Sequence, residues 1–351
     1  MRRLTSMSLT AKVKLILLAA AIVAGVALPY VLSPFLVSVV SLALVFGLFA
    51  MSIDLLAGFA GLVSVGHAGI LATAAYGVGY VATHGGGYVA QILAGLGVGL
   101  VASIVFALMA MRTSRVYFLL ITLAQGMIVW GLSIRLYSIT GAENGLRDIL
   151  RPSAVSAYWK YYYLCLAVLF VCGGLMWVIV RSPFGYGLRG LRDSEERVRM
   201  LGYNTTLHKF YAFVLSGFFA SISGVLFVYQ NEYISPAAAE FLVSGTGVLM
   251  VVLGGVGTLV GPVIGAFIIT LIENELSAYV ERWPTVLGAV FIITILFAPN
   301  GLVGGLSRLW RRWTGPRGRG EPETATAEEA AETEPAGRSA PSHQISTGGG
   351  K

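Results

Sequence analysis

Hydrophobic positions along this chain come in long blocks, interrupted by glycine, proline and short charged stretches, and they do not alternate with polar positions. Blocks of roughly 20 apolar residues match the length a helix needs to cross a bilayer. Short alternating segments, the mark of a membrane β-barrel, are missing. Hydropathy, broken at Gly, Pro and charge, predicts spans at 13–32, 35–53, 66–83, 88–110, 116–136, 161–180, 209–230, 245–260, 262–280 and 285–303. The expected fold is all-α, a polytopic transmembrane bundle of about ten spans with glycine-rich broken segments. It occupies 13–303, between an N-tail at 1–12 and a tail at 304–351.

Composition supports that reading. Of 351 residues, 56% are hydrophobic and 12% charged, with a mean hydropathy of +0.78; a soluble domain carries about twice that charge. The net charge of +7 does not point to nucleic acid, because the basic residues segregate. Placing 181–209 in the cytoplasm puts Arg112, Arg115, the basic N-tail and Arg308–Arg312 on the same side. Only Arg135, Arg147, Arg151, Lys160 and Arg282 then fall outside, as the positive-inside rule requires. Both termini are expected in the cytoplasm, and the chain in the inner or plasma membrane. The start, Met1 to Lys14, looks like the charged end of a signal peptide, but the apolar run Leu15–Leu32 is longer than a signal core, so a retained first helix is expected. Arg308–Arg319 reads as an anchor on membrane lipid, and the Pro, Gly, Glu, Thr and Ala-rich tail after Gly315 as disordered.

Motifs for chemistry are missing. The chain has no phosphate-binding P-loop, no His-Glu-x-x-His, no dinucleotide fingerprint and no cysteine cluster. No metal or bound cofactor is expected, and Cys165 and Cys172, seven apart on one span, read as packing residues. Two glycine-dense stretches remain, Gly58–Gly69 and Gly254–Gly265. One reading is close helix packing. The other is broken or re-entrant backbone beside a solute pathway, since irregular backbone at membrane depth must be buried in protein or line a cavity. The second reading makes Gly61, Ser64, His67, Gln125, Gly254, Gly255, Gly257 and Pro262 pathway or gate candidates, with Pro262 removing a helix donor. His67 could equally pin a tight turn, and Asp54 is expected at the interface. Glu273 and Glu275 read as an interfacial charge network with Arg282.

The polar island from Arg181 to Asn204 is unlike the rest of the chain. Pro183 and Gly185 should end the sixth span, and Asp193 with Glu196 has capping-box spacing for a short helix starting near Ser194. Leu191, Val198 and Leu201 would form its apolar face, Gly202 its left-handed stop, and Asn204 the cap of the next span. On the external side, 137–160 is long enough for a short surface helix serving as a lid or docking surface, with Glu143 and Asn144 at its centre. The aromatic cluster Tyr158–Tyr163 reads as an interfacial belt.

These segments carry a resemblance. Arg181-Ser-Pro-Phe-Gly-x-x-Leu-Arg, Glu195-Glu196, Leu201-Gly-Tyr-Asn-Thr-Thr and Lys209-x-x-Ala-Phe-Val resemble the coupling region of permeases of branched-chain amino acid ABC importers. Asp54-Leu-Leu-Ala-Gly-x-Ala-Gly with Val65-Gly-His-Ala, Tyr117-Phe-x-x-x-Thr-Leu, Thr140-Gly-x-x-Asn-Gly-Leu and Val251-x-Leu-Gly-Gly-x-Gly-Thr-Leu-x-Gly-Pro agree. So do Glu281-Arg-Trp and Ala298-Pro-Asn-Gly-Leu, and the likeness covers roughly 35 to 303 in order. It implies a ten-helix permease that works with a sister permease, two ABC ATPase subunits that bind ATP and magnesium, and an extracytoplasmic solute-binding protein. It also implies that 181–208 is the coupling loop, with Gly187, Arg189, Arg192, Glu195, Glu196, Arg197, Arg199, Leu201 and Gly202 as the coupling set.

The external Gly-Ala-Glu-Asn-Gly departs from many relatives, and the tail after Gly315 has no counterpart. A urea or short-amide importer shares nearly all these motifs and stands as the alternative cargo. A gradient-driven carrier and an intramembrane enzyme built on a Ser64–His67 dyad are the rivals from other classes.

Overall fold

The computed structural model describes residues 25–113, 115–277, 285–286, 288–289, 292, 301–302 and 304. The N-tail, most of the predicted spans 13–32 and 285–303, Arg282 and the C-terminal tail lie outside them. Helix α1 is seen over 25–31. The apolar blocks then give α2 (Pro34–Asp54), α3 (His67–Thr83), α4 (Tyr88–Ala110), α5 (Arg115–Arg135), α7 (Tyr158–Arg181), α10 (Thr205–Asn231), α11 (Phe241–Gly254) and α12 (Val260–Ser277). Between them lie a four-residue turn of helix, α6 (Tyr137–Thr140), and a pair of short helices, α8 (Pro183–Asp193) and α9 (Glu195–Met200).

Among the described residues, five helices are long and apolar enough to cross a membrane: Pro34–Phe59, Tyr88–Ala110, Val116–Arg135, Tyr158–Arg181 and Thr205–Asn231. The 14 residues of α11 rise about 21 Å at 1.5 Å each, short of the roughly 30 Å hydrocarbon core. That length follows from the break after Gly254, which falls earlier than the sequence pattern predicts.

Burial sorts the helices into a centre and a rim. Inside the chain, 78% of the α2 span and 67% of the α10 span are covered, against 22% of α7. Helix α10 packs on α2, α3 and α4, while α12 packs on α2 and α11. Small residues set the closest approaches. Gly95 and Gly99 of α4 lie against Val225 and Ser221 of α10, and Ser103 lies against Gly217. Ser103 and Ser221 each donate to a carbonyl one turn back, at 2.7 and 2.8 Å, so neither hydroxyl is orphaned in the seam.

The aromatic cluster at the start of α7 is not a belt throughout. Tyr158 and Trp159 are exposed, but Tyr161 and Tyr162 are buried core residues. Tyr161 donates to the Leu226 carbonyl at 2.5 Å, and Tyr162 to the Gly25 carbonyl at 2.7 Å. Cys165 and Cys172 are buried on the same face and form no disulfide, as packing requires.

The segment 137–157 is anchored to the bundle. Leu146 pairs with Ile234 through an antiparallel bridge, and Ile149 is fully buried. Arg151 donates to the Tyr229 and Gln230 carbonyls at 2.8 Å each and lies 3.4 Å from Glu232, so it caps the end of α10. Its guanidinium also sits 4.7 Å over the Tyr161 ring.

Candidate coupling site and the broken helices

The polar island forms two helices. Helix α7 runs to Arg181, Ser182 caps α8 by accepting from Gly185 N–H at 3.4 Å, and Pro183 sits at the first helical position. Proline and glycine therefore open a helix here, where the sequence pattern predicts only that they close one. Asp193 is the last residue of α8, so the expected Asp193 cap does not form. Ser194 caps α9, accepting from Arg197 N–H at 3.4 Å. Gly202 takes the expected left-handed conformation (φ +86°), and Asn204 caps α10, accepting from Leu207 N–H at 3.1 Å.

The predicted coupling set divides by direction. Leu188, Leu191 and Val198 are buried, whereas Leu201 is 75% exposed and does not join their apolar face. Met200 beside it is 79% exposed, and Glu196, Arg197 and Arg199 are exposed as well. Gly187 makes room for His208, whose ring stacks on Phe184 with centroids 5.7 Å apart. Arg189 lies 5.5 Å over the Phe59 ring, and Arg192 Nη1 donates to the Gly58 carbonyl at 2.5 Å. These two arginines, expected among the outward charge contacts, engage the first glycine-rich segment.

Glu195 also bonds inward. Its carboxylate accepts from Lys209 Nζ at 2.7 Å, and the same ammonium, on a side chain only 5% exposed, donates to the Thr113 carbonyl at 3.4 Å. Partial burial works to raise the Glu195 pKa, but the Lys209 hydrogen bond and charge, with Thr205 and Arg199, outweigh it and hold the carboxyl below its usual value. A depressed carboxylate stabilises the fold fully above the ordinary value of about 4.3 and loses that contribution as pH falls through its folded-state value. Attachment of α9 is therefore expected to be flat from pH 8 to 5 and to loosen at lower pH. Limited proteolysis at 200–203 across that range would show it, and Glu195→Gln should remove the acid-dependent step.

Both glycine-dense segments are broken backbone. After α2 the chain makes a π-helical turn, Leu55–Phe59, then runs irregularly until α3 starts at His67. Gly61 there has φ +71°, which only glycine adopts without strain. The second break spans Gly255–Leu259, with Gly255 at φ +122° and Gly257 at φ +79°. Pro262 lies in the first turn of α12, where its missing N–H costs little, so it does not cause the break. Gly254, at the end of α11, lets the Gly261 carbonyl approach.

The breaks meet at Asp54. This carboxylate, expected at the interface, is fully buried. It accepts from Gly257 N–H at 2.6 Å and Leu259 N–H at 3.2 Å, taking donors left over at the start of α12. The nearest signal in the sequence is its position just before a glycine-rich run; the partner lies 203 residues away.

Ser64 and His67 do meet, Oγ to Nδ1 at 2.9 Å, and both are fully buried. His67 Nε2 lies 2.6 Å from Ser216 Oγ, whose own proton goes to the Ser52 carbonyl at 2.5 Å. The network therefore assigns the ring proton to Nε2 and leaves Nδ1 to accept from Ser64. With both nitrogens committed, the pair is a pin joining α2, α3 and α10, not a nucleophile and base. Gln125 Nε2 donates to the Phe106 carbonyl at 3.1 Å and ties α5 to α4. Glu143 and Asn144 are exposed on a single 3₁₀ turn, Ala142–Asn144, remote in sequence from the breaks.

The family model described as branched-chain amino acid transport system, permease component, matches residues 35–298. The chain belongs to this family. The permease is 27% identical over 323 residues to the LivM permease protein of the high-affinity branched-chain amino acid transport system of Salmonella typhimurium, covering 84% of this chain and 76% of that one. LivM of Escherichia coli is 26% identical over the same shares. The autoinducer 2 import system permease LsrC of Salmonella paratyphi B is 26% identical over 187 residues, half of each chain. The permease is thus a multi-pass membrane component of an ABC importer and is not itself an enzyme.

Lys209, Arg151, Ser52 and Ser216 are the residues sequence reading did not assign to these sites. Of these only Lys209 carries a signal, a lone cation one turn inside a span whose cap is legible at Asn204.

Proposed function

We propose that this permease forms, with a sister permease, the pathway by which a branched-chain or related amino acid is imported. An extracytoplasmic binding protein delivers the solute, and two ATPase subunits supply the work. The observation that carries this reading is the two-sided build of α8–α9. Glu196, Arg197, Arg199, Met200 and Leu201 face outward, while Leu188, Leu191, Val198 and Glu195 are fastened to the bundle. A short helix with a charged and apolar outer edge and a bonded inner side suits a docking element that must move the helices behind it. The reading places α8–α9 and both termini in the cytoplasm and 137–157 outside.

The test is uptake by proteoliposomes holding the full assembly and its binding protein, offered labelled leucine and labelled urea. ATP-driven leucine accumulation is expected, with at least a ten-fold loss for Leu201→Asp together with loss of ATPase co-purification. Urea uptake without leucine uptake would replace the cargo. Uptake driven by an ion gradient without ATP would overturn the importer mechanism.

A further inference from the structure

We propose that Arg192 is a positioning residue that transmits movement of α8 into the two broken segments, acting with Asp54, and that it is not a contact for the ATPase. The inference rests on the importer reading and goes past it, because it assigns a transmission route inside this chain.

Arg192 sits where both breaks can accommodate it. Its Nη1 is bonded to the Gly58 carbonyl. A Cβ on Gly61 would stand 2.9 Å from Arg192 Cγ, and a Cβ on Gly257 would stand 3.3 Å from Arg192 Nη1. Three glycines from two distant stretches of sequence therefore border the inner side of one solvent-exposed side chain from α8. A Cβ on Gly58 would also strike the Asp54 carboxylate and come 2.7 Å from Gly257 Cα, so the breaks themselves are in contact there.

Asp54 completes the path. It ends α2, immediately before the π-helical turn that carries Gly58, and its two oxygens hold Gly257 and Leu259. Leu259 has φ +59°, a left-handed conformation that a branched residue adopts only when its surroundings enforce it. A shift of α8 moves the Gly58 carbonyl through Arg192. The turn passes the shift to Asp54, and Asp54 passes it to the strained start of α12. A charge-assisted bond to a carbonyl and a carboxylate held by two amides are both stronger than neutral hydrogen bonds, so the path resists slack.

The first experiment uses the full chain alone in lipid nanodiscs and reads hydrogen exchange. Arg192→Met is expected to speed exchange across 255–260 at least ten-fold while α4 and α7 keep their wild-type rates. Arg192→Lys should fall between, and Asp54→Asn should speed the same amides. Unchanged exchange at 255–260 in Arg192→Met overturns the proposal. So does uniform acceleration through every helix, which would mark Arg192 as a general structural prop.

The second experiment uses the assembled importer and reads solute moved per ATP hydrolysed. That ratio is expected to fall at least ten-fold in Arg192→Met with the ATPases still co-purifying, and loss of co-purification would overturn the proposal in favour of a docking role. Failure of the importer reading would appear separately, as a wild-type assembly without ATP-driven uptake, and would leave the hydrogen-exchange outcome intact.

Discussion

Gly224→Val is expected to leave almost no correctly folded chain. A Cβ at this position on α10 would meet the Leu71 carbonyl oxygen of α3 and lie 3.0 and 3.1 Å from the carbon and Cα behind it. The obstacle is backbone, so no rotamer change relieves it. The two helices would have to separate, and that would pull on the His67–Ser216 bond and on the Gly217–Ile70 contact in the same seam. Overpacking by a methyl group costs about 1–3 kcal/mol. The branched valine should exceed about 4 kcal/mol, in the range where single changes become diagnostic. Size-exclusion profile and thermal melting of the full chain in detergent would read the loss. Gly174→Val is the control, since nothing lies within 4 Å of its Cβ position, and it should melt with the wild type. A monodisperse, normally melting Gly224→Val would mean that α3 and α10 do not touch there.

The second large effect is expected from Glu195→Ala. Lys209, its side chain 5% exposed, holds its ammonium against a carboxylate at 2.7 Å, and without that partner it retains the longer bond to Thr113. Breaking a buried pair from one side costs about 3–5 kcal/mol. The figure here belongs at the low end, about 3 kcal/mol, because water reaches the Glu195 side and screens it. Removing both charges in Glu195→Ala with Lys209→Met should recover most of the loss, since no ion is then stranded in an apolar site. A double-mutant cycle on melting temperature separates the two cases. Equal destabilisation by the single and double changes would refute the stranded-charge account.

Much of this architecture is legible in the chain, because a bilayer imposes one demand on every span. The run of apolar residues from Pro34 to Ile53, the helix start near Ser194, the cap at Asn204 and the left-handed Gly202 can be read locally, with the first cap displaced by one residue from Asp193. What fails to show is long-range. Asp54 looks interfacial until Gly257, far along the chain, is seen to donate to it. Tyr161 looks like part of a belt until Leu226 supplies the acceptor for its hydroxyl. Arg189 and Arg192 count as surface charges by composition, and only the fold brings Phe59 and Gly58 beneath them. Pro183 misleads for a different reason. Proline stops one helix and starts another with equal ease, and the choice depends on Ser182 supplying the cap.

The grip of Arg151 on the last turn of α10 has a consequence for whatever lands on that face. A segment stapled by its guanidinium, with Ile149 sunk into the interior, has little freedom left to surrender. Association there would spend almost nothing on ordering the receiving side. Fit would be judged on arrival, so a mismatched visitor would leave quickly instead of being accommodated.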